Sequence, residues 1–578
     1  MIKVSRQYKE DTSQKISWGH WFAFFNIIWA IIIGARYAFL IDWPDTLFAR
    51  VYFFISILGH FSFVVFAFYL LIIFPLSFIV KNHRTFRGLS VIIATLCISL
   101  LLIDTQVFAE FNFHLSSVVW NLLVNPENGE LARSWQIFFA FMPLILLTEM
   151  VFSRWSWYKL RSLNRQKWRT WIAPLFFSCF IATHLIYTWA DAVLYRPITM
   201  QKSNFPLSYP MTARSFLQKH GFLDKQEYRQ TIQQQGRPEA AKLDYPKQPL
   251  EIDPHHQAQN ILFITIAGLR YDAITPTTMP ALRQFADKAS EFTNHYSTGN
   301  NANTGLAGLF YGLNANYVDS LLNAHLSSLL LQLAQQQHYQ IGLFSDNNFN
   351  QFLFRQSILG KITPKNQANQ TQQQSIQALQ HWYQNALTQQ QPLLAYLDLN
   401  IANNLDQEAY QQALHKLDQA LAPLLNQIQS NTLVIITAEY GYQFTDDHQL
   451  QLQDNFSRQQ IQVPLIIYGK DLPVGKINKL TSHVDLFATL LPFYGVKNPS
   501  YTYSQGENLF APERQFNWVI AGNYRWKVII TPNGTQYHID DKGNYQKYNA
   551  DYQAENSASP PLGLFLEVFR QNHQFFAD

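Results

Sequence analysis

Two hydrophobic rhythms divide the chain. Up to about residue 195, apolar residues come in long blocks parted by short charged loops. The blocks run over about 18–41, 51–80, 88–104, 135–152 and 170–189. As helices of roughly 17 to 30 residues, they match a ~30 Å hydrocarbon layer, and five spans are expected. From about residue 260 the rhythm shortens. β-rich runs at 261–266, 340–344, 393–399, 433–437 and 463–468 alternate with helical patterns near 280–288, 320–337, 371–388, 405–429 and 484–491. Strands alternating with helices predict a doubly wound α/β sheet. The run 261–266 is apolar at nearly every position and ends at Ala267-Gly268, as expected of a parallel strand buried on both faces. Short strands at 526–531 and 535–539 predict a small antiparallel appendix, and a terminal helix follows at 560–571.

Charge assigns sides. The first fifteen residues carry Lys3, Arg6, Lys9 and Lys15, and no small-residue cleavage site follows the first apolar block. A removable leader is therefore not expected. One loop holds Lys81, Arg84 and Arg87, and another holds Arg154, Lys159, Arg161, Arg165, Lys167 and Arg169. The remaining two loops lean acidic, with Asp42 and Asp45, and Glu110, Glu127 and Glu130. The positive-inside rule then places the amino terminus in the cytoplasm and, after five spans, the second half of the chain outside it, in the periplasm of a bacterium. The basic loop 154–169 also carries Trp155, Trp157 and Trp168. It reads either as an anionic-lipid patch or as a plain positive-inside anchor with interfacial tryptophans. The formal charge of +4 over 578 residues is too small to indicate a nucleic-acid binder. Cys97 and Cys179 both lie in apolar blocks, so neither a disulfide nor a metal site is expected.

Three regions follow: 1–195 in the membrane, 196–259 as juxtamembrane helix and linker, and 260–578 as the α/β domain. In the connector, Pro210 suits a helix start and Gly221 a helix stop, predicting a helix over about 211–220. Its first turn would offer backbone N–H groups, the Thr212 hydroxyl and the Arg214 guanidinium to an anion, or be an ordinary capped linker helix. Residues 224–259 are rich in Gln, Pro and charge and read as a mobile linker. The His255-His256 pair reads as solvated.

In open α/β sheets, chemistry sits past the carboxyl ends of the strands, so Ala267-Gly268-Leu269 marks the expected centre. The segments SWGHWF (17–22), GHFSF (59–63), FYLLIIFPL (68–76), FPLSYP (205–210) and YPMTAR (209–214) resemble the YejM/PbgA (LapC) family of inner-membrane proteins. The likeness continues through TGN (298–300), GLFYG (308–312) and YSQG (503–506). It implies a periplasmic domain of sulfatase type, within the alkaline phosphatase superfamily. In catalytic members of that superfamily, an acid after the first strand and a later Asp-His pair hold a divalent metal, and a Thr, Ser or modified Cys attacks.

Those positions fall here on Ala267, on Asn301 or Ala302, and on Glu439-Tyr440. One carboxylate among them makes no metal site. No catalytic residue, metal or cofactor is expected. Thr304 lacks an activating neighbour, Asp446-Asp447-His448 reads as a polar loop, and His483 and Asp485 read as the start of a helix.

The resemblance further implies a sensor of lipopolysaccharide. The lipid A site would map to Tyr209, Pro210, Met211, Thr212, Ala213, Arg214 and Ser215. The transmembrane part would restrain a LapB-like adaptor that delivers LpxC to the FtsH protease. Ser215 stands where the family often has a second arginine, so less of the lipid phosphate would be held by charge. The alternatives are a metal-dependent phosphatase or phosphoethanolamine-transferase-like enzyme acting on membrane lipids, and a cardiolipin binder or transporter using the 154–169 loop.

Overall fold

The computed structural model describes residues 6–41, 43–111, 114–115, 140–165, 169–364, 370–389, 391–445, 450–540, 544–555 and 561–577. The chain forms two compact units. One comprises Met1–Arg229, Pro561–His573 and Ala577–Asp578, and the other Gln230–Pro560 and Gln574–Phe576. The terminal helix Leu562–Asn572, expected with the second half, groups with the first.

In the first unit, four helices among the described residues are long and apolar enough to cross a membrane: Tyr8–Phe39, Leu47–Ile79, His83–Ala109 and Thr170–Ala192. Five were expected, and four of the five expected blocks coincide with these helices. The fourth block, 135–152, begins outside the described residues. Its remainder opens the helix Met142–Asn164, whose second half carries Arg154, Lys159 and Arg161 and so dilutes its apolarity. That helix still packs inward. The Trp18 indole donates to the Ser153 carbonyl (3.1 Å), and the Asn26 amide donates to the buried Glu149 carboxyl (3.3 Å).

Close packing of the Leu47–Ile79 helix requires a glycine. A Cβ on Gly59 would lie 2.7–2.8 Å from the backbone of Cys179 and Phe180, the close approach that small residues permit between membrane helices. A π-turn at Tyr69–Ile73 precedes Pro75, because proline removes an N–H from the regular ladder. The connector enters this unit at Phe205, which is buried with its ring 5.5 Å from those of Phe53 and Phe61 and stacked on His60.

The second unit is built on a seven-stranded sheet. Its spatial order is Gly475–Ile477, Ser290–Phe292, Leu465–Tyr468, Thr432–Thr437, Asn260–Ala267, Leu393–Asn400 and Gln340–Ser345. Asn260–Ala267 runs parallel to both neighbours, and every residue after Asn260 is buried. Burial at roughly 1.5–3 kcal/mol per large apolar side chain explains the unbroken run Ile261–Ile266. Leu465–Tyr468 is antiparallel to its partners, so the sheet is mixed.

Five short antiparallel strands, Val519–Gly522, Trp526–Ile530, Gln536–Asp540, Tyr545–Tyr548 and Ala554–Glu555, form the appendix. The expected helix 320–337 is two, Val318–Ala324 and Leu329–Gln336, parted at His325 with φ +47°. The stretch expected as a mobile linker is structured. It holds a helix Lys225–Gln235, bridges Leu243 to Phe576 and Ile252 to Val496, and lays Leu243, Tyr245 and Leu250 on the core. Scattered apolar residues among its polar ones suffice once a core edge is there to receive them.

Candidate functional site

The strand end Ala267-Gly268 lies where an α/β centre should. Gly268 has φ +86°, donates its N–H to the Tyr440 carbonyl (2.9 Å) and faces the Tyr442 ring, which a Cβ would strike at 2.3 Å. The turn is therefore closed by aromatic packing. On the loop opposite, Asn301 is the N-cap of the helix Ala302–Tyr311. Its Oδ1 accepts from the Thr304 N–H (3.2 Å), its own N–H donates to Thr304 Oγ1 (3.2 Å), and that hydroxyl donates to the Asn301 carbonyl (2.9 Å). This capping box engages the Thr304 hydroxyl, three residues beyond Asn301. Ala302 offers no reactive atom. Asn303 Oδ1 accepts from the Leu353 N–H (3.2 Å), so it too serves the backbone.

Glu439 is fully buried, its carbonyl accepting from Ser297 Oγ (2.5 Å). Its carboxyl lies close enough to that of Asp398 for the two to influence each other's charge. Asp398 stands opposite Thr265 of the central strand, and Thr437, two residues before Glu439, stands opposite Thr265 from the other side. Burial, and for Asp398 the neighbouring Glu439 and Asp346 charges, hold both carboxyls above the usual carboxylate range. Two acids brought together in a dry site each make ionisation of the other harder. Among the described residues, no well-aligned N–H or O–H donor reaches either Glu439 carboxyl oxygen.

Tyr440 is buried against Tyr442, their rings 5.6 Å apart. Among the described residues, no three His, Cys, Asp or Glu side chains gather as a metal would require. The donor set at the three positions, Ala267, Asn301 or Ala302, and Glu439-Tyr440, offers one carboxylate and does not fit the divalent metal that the resemblance implies. His483 and Asp485 open the helix His483–Leu490, with Asp485 in its capping box and paired to Arg514. Asp446-Asp447-His448 lie outside the described residues.

The juxtamembrane stretch is the opposite kind of surface. Its helix is Arg214–Lys219, shorter than the expected 211–220, and Ala213 caps it without a side-chain bond. Pro210 and Thr212 therefore precede the helix rather than form its first turn, because the backbone of Met211 is engaged elsewhere. Its N–H donates to His184 Nδ1 (3.0 Å), and its carbonyl accepts from Thr188 Oγ1 (3.0 Å). Gly221, φ +76°, does stop the helix.

Arg214 is not a free cation. It donates through Nε (2.7 Å) and through a second nitrogen (2.5 Å) to the carboxylate of Asp191, which is 2% exposed, and lies over the Tyr228 ring. The segment is so clipped to Thr170–Ala192, while its apolar side chains point away. Tyr209 is 77% exposed and Phe222 76%, and Leu207, Met211 and Phe216 are exposed with them. Thr212 and Ser215 are exposed as well. The basic patch is only partly brought together. Arg154, Arg161 and Arg165, spaced seven and four apart, share one helix face, whereas Lys159 projects elsewhere. Lys167 and the Arg169 side chain are outside the described residues.

Comparison with known proteins resolves the family. A domain of unknown function, DUF3413, matches residues 5–252, and the sulfatase family matches residues 363–496. The inner membrane protein YejM of Salmonella typhimurium is 41% identical over the whole of both chains. The chain belongs to the YejM family of inner-membrane proteins. An uncharacterized protein of Haemophilus influenzae is 57% identical over 99% of this chain and 98% of its own. Among solved structures, an alkaline phosphatase superfamily protein from Vibrio parahaemolyticus aligns with TM-score 0.44 at 13% identity, covering 62% of this chain and 98% of that one. The YejM-family chain is thus a membrane protein with a sulfatase-like α/β domain.

Sequence reasoning about this YejM-family centre missed Asp398 and Asp191. Each left a signal. Asp398 is the one acid in the strand Leu393–Asn400, and Asp191 is an acid at the end of an apolar helix, where a charge needs a partner.

Proposed function

We propose that the chain is a non-catalytic sensor of lipopolysaccharide that regulates its synthesis, with the sulfatase-like domain on the periplasmic side. The observation that carries this reading is the exposed apolar segment 207–222, held to the last span by Arg214–Asp191 and by both backbone groups of Met211. Apolar side chains beside exposed hydroxyls and backbone suit a lipid with a phosphorylated head group and several acyl chains. Because Asp191 already balances Arg214, lipid phosphate would be met by backbone N–H groups, Thr212 and Ser215, or by displacing Asp191. Occupancy would bias the helical unit against a LapB-like adaptor and so set FtsH proteolysis of LpxC.

Lipid mass spectrometry on the purified full chain tests the site. Lipopolysaccharide should co-purify, and Thr212→Ala with Arg214→Ala should lower it severalfold. Unchanged occupancy would remove the site, and cardiolipin in its place would favour the transporter reading. A stoichiometric divalent metal with phosphatase turnover abolished by Glu439→Ala would establish the enzyme reading instead.

A further inference from the structure

Three polar side chains of the last span grip the juxtamembrane segment. His184, Thr188 and Asp191 are spaced four and three apart, so they share one face of the helix Thr170–Ala192. His184 Nδ1 accepts from the Met211 N–H (3.0 Å), and Thr188 Oγ1 donates to the Met211 carbonyl (3.0 Å). Asp191 accepts from Arg214 through both carboxylate oxygens, at 2.7 Å from Nε and 2.5 Å from the second nitrogen. The first two contacts are to backbone and use no side chain of the segment. The third takes up the one positively charged side chain in residues 207–215.

The position of Asp191 is unfavourable without that arginine. It lies in the last turn of an apolar helix, at the negative end of the helix dipole, where a cation rather than an acid is favoured. It is 2% exposed, and among the described residues its carboxylate accepts from Arg214 alone. The Arg214 side chain, by contrast, is 39% exposed and rests over the Tyr228 ring. The guanidinium can therefore turn toward an anion at the surface, and the buried acid cannot follow. A carboxylate gripped by two guanidinium N–H groups also has the geometry in which that fork takes two oxygens of a phosphate. Taking Arg214 away strands a buried charge, which is strongly unfavourable.

On the lipopolysaccharide reading of residues 207–222, we propose that Asp191 is an internal competitor for the lipid phosphate. It occupies the Arg214 guanidinium when no lipid is bound, and so sets how much lipid is needed to fill the segment. A site whose binding-competent form is only partly populated binds with an affinity lowered by that fraction. Here the competent form is the one in which Arg214 has left Asp191. A contact that only held the segment would act the other way, since losing it would loosen the site. The sign of the Asp191 effect separates the two roles.

Titration of the delipidated full chain with lipid A tests this by native mass spectrometry, with diphosphorylated and fully dephosphorylated lipid A in separate arms. Asp191→Asn keeps the shape and removes the charge, and it should bind diphosphorylated lipid A at least fivefold more tightly than the wild-type chain. Dephosphorylated lipid A should bind the two chains equally. The gain should vanish when Arg214→Ala is combined with Asp191→Asn, because the competition needs the guanidinium. Thr188→Val, which removes a holding contact to backbone, should instead weaken binding. If Asp191→Asn does not fold, Asp191→Ser reads the same change. Binding by the uncharged variant that is unchanged, or that falls as in Thr188→Val, would overturn the proposal and leave the lipopolysaccharide reading in place. So would a gain that persists without Arg214 or extends to dephosphorylated lipid A. Absence of saturable lipid A binding by every chain would remove that reading and the proposal with it.

Discussion

The end of the strand Asn260–Ala267 and the stretch 207–222 treat polar and apolar groups in opposite ways. At the strand end, polar groups are turned on one another. Asn301 and Thr304 close a capping box, Asp398 and Glu439 bury their carboxyls beside each other, and Tyr440 and Tyr442 seal the turn. At 207–222 the polar contacts hold the segment in place, and the apolar side chains remain uncovered. One region therefore commits its polar groups to its own packing, while the other commits them to anchoring a segment whose apolar side chains stay exposed.

The largest expected effect tests the sealed side of this contrast. Burial pushes the Glu439 carboxyl up to about 7, from near 4.5 in an unfolded chain. A raised acid stabilises the fold fully below its unfolded value, and that stability is lost as pH rises through 7. The loss is of order ~3 kcal/mol at 1.4 kcal/mol per unit. Glu439→Gln removes the titrating carboxyl and should flatten the curve, so that at pH 8 the variant melts above the wild-type protein. A variant as pH-sensitive as the wild type would mean that the Glu439 carboxyl is not the group that titrates.

The exposed side is tested next. Tyr209→Asp with Met211→Asp places charge where apolar groups meet lipid, and bound lipopolysaccharide should fall tenfold or more while the melting temperature stays within a degree or two. Glu439→Gln should leave lipid content untouched, and a fall in it would blur the division between the regions. The smallest effect belongs to the capping box. Thr304→Val keeps the shape and removes the hydroxyl, at a cost of about 1 kcal/mol in denaturant unfolding. No loss of stability would free Thr304 for another role.

Much of this was legible along the chain because periodicity is local. Apolar block length marks spans, and β-rich runs between helical patterns mark the sheet, since each depends on residues a few positions apart. The residue types at Ala267, Asn301, Ala302 and Glu439-Tyr440 could be read from the chain directly, whereas the partners of each side chain could not.

What only the tertiary structure decided are the pairings between distant residues. Asp191 takes the charge of Arg214 and so changes how that arginine could meet a lipid. Asp398 meets Glu439 because their strands flank one central strand in matching register. The stretch read as a mobile linker finds partners at Val496 and Phe576. Hydrophobic patterning states which residues leave water. Which polar group then faces which is settled only when separate elements pack, since a buried charge or carbonyl must be matched by whatever partner the fold brings within reach.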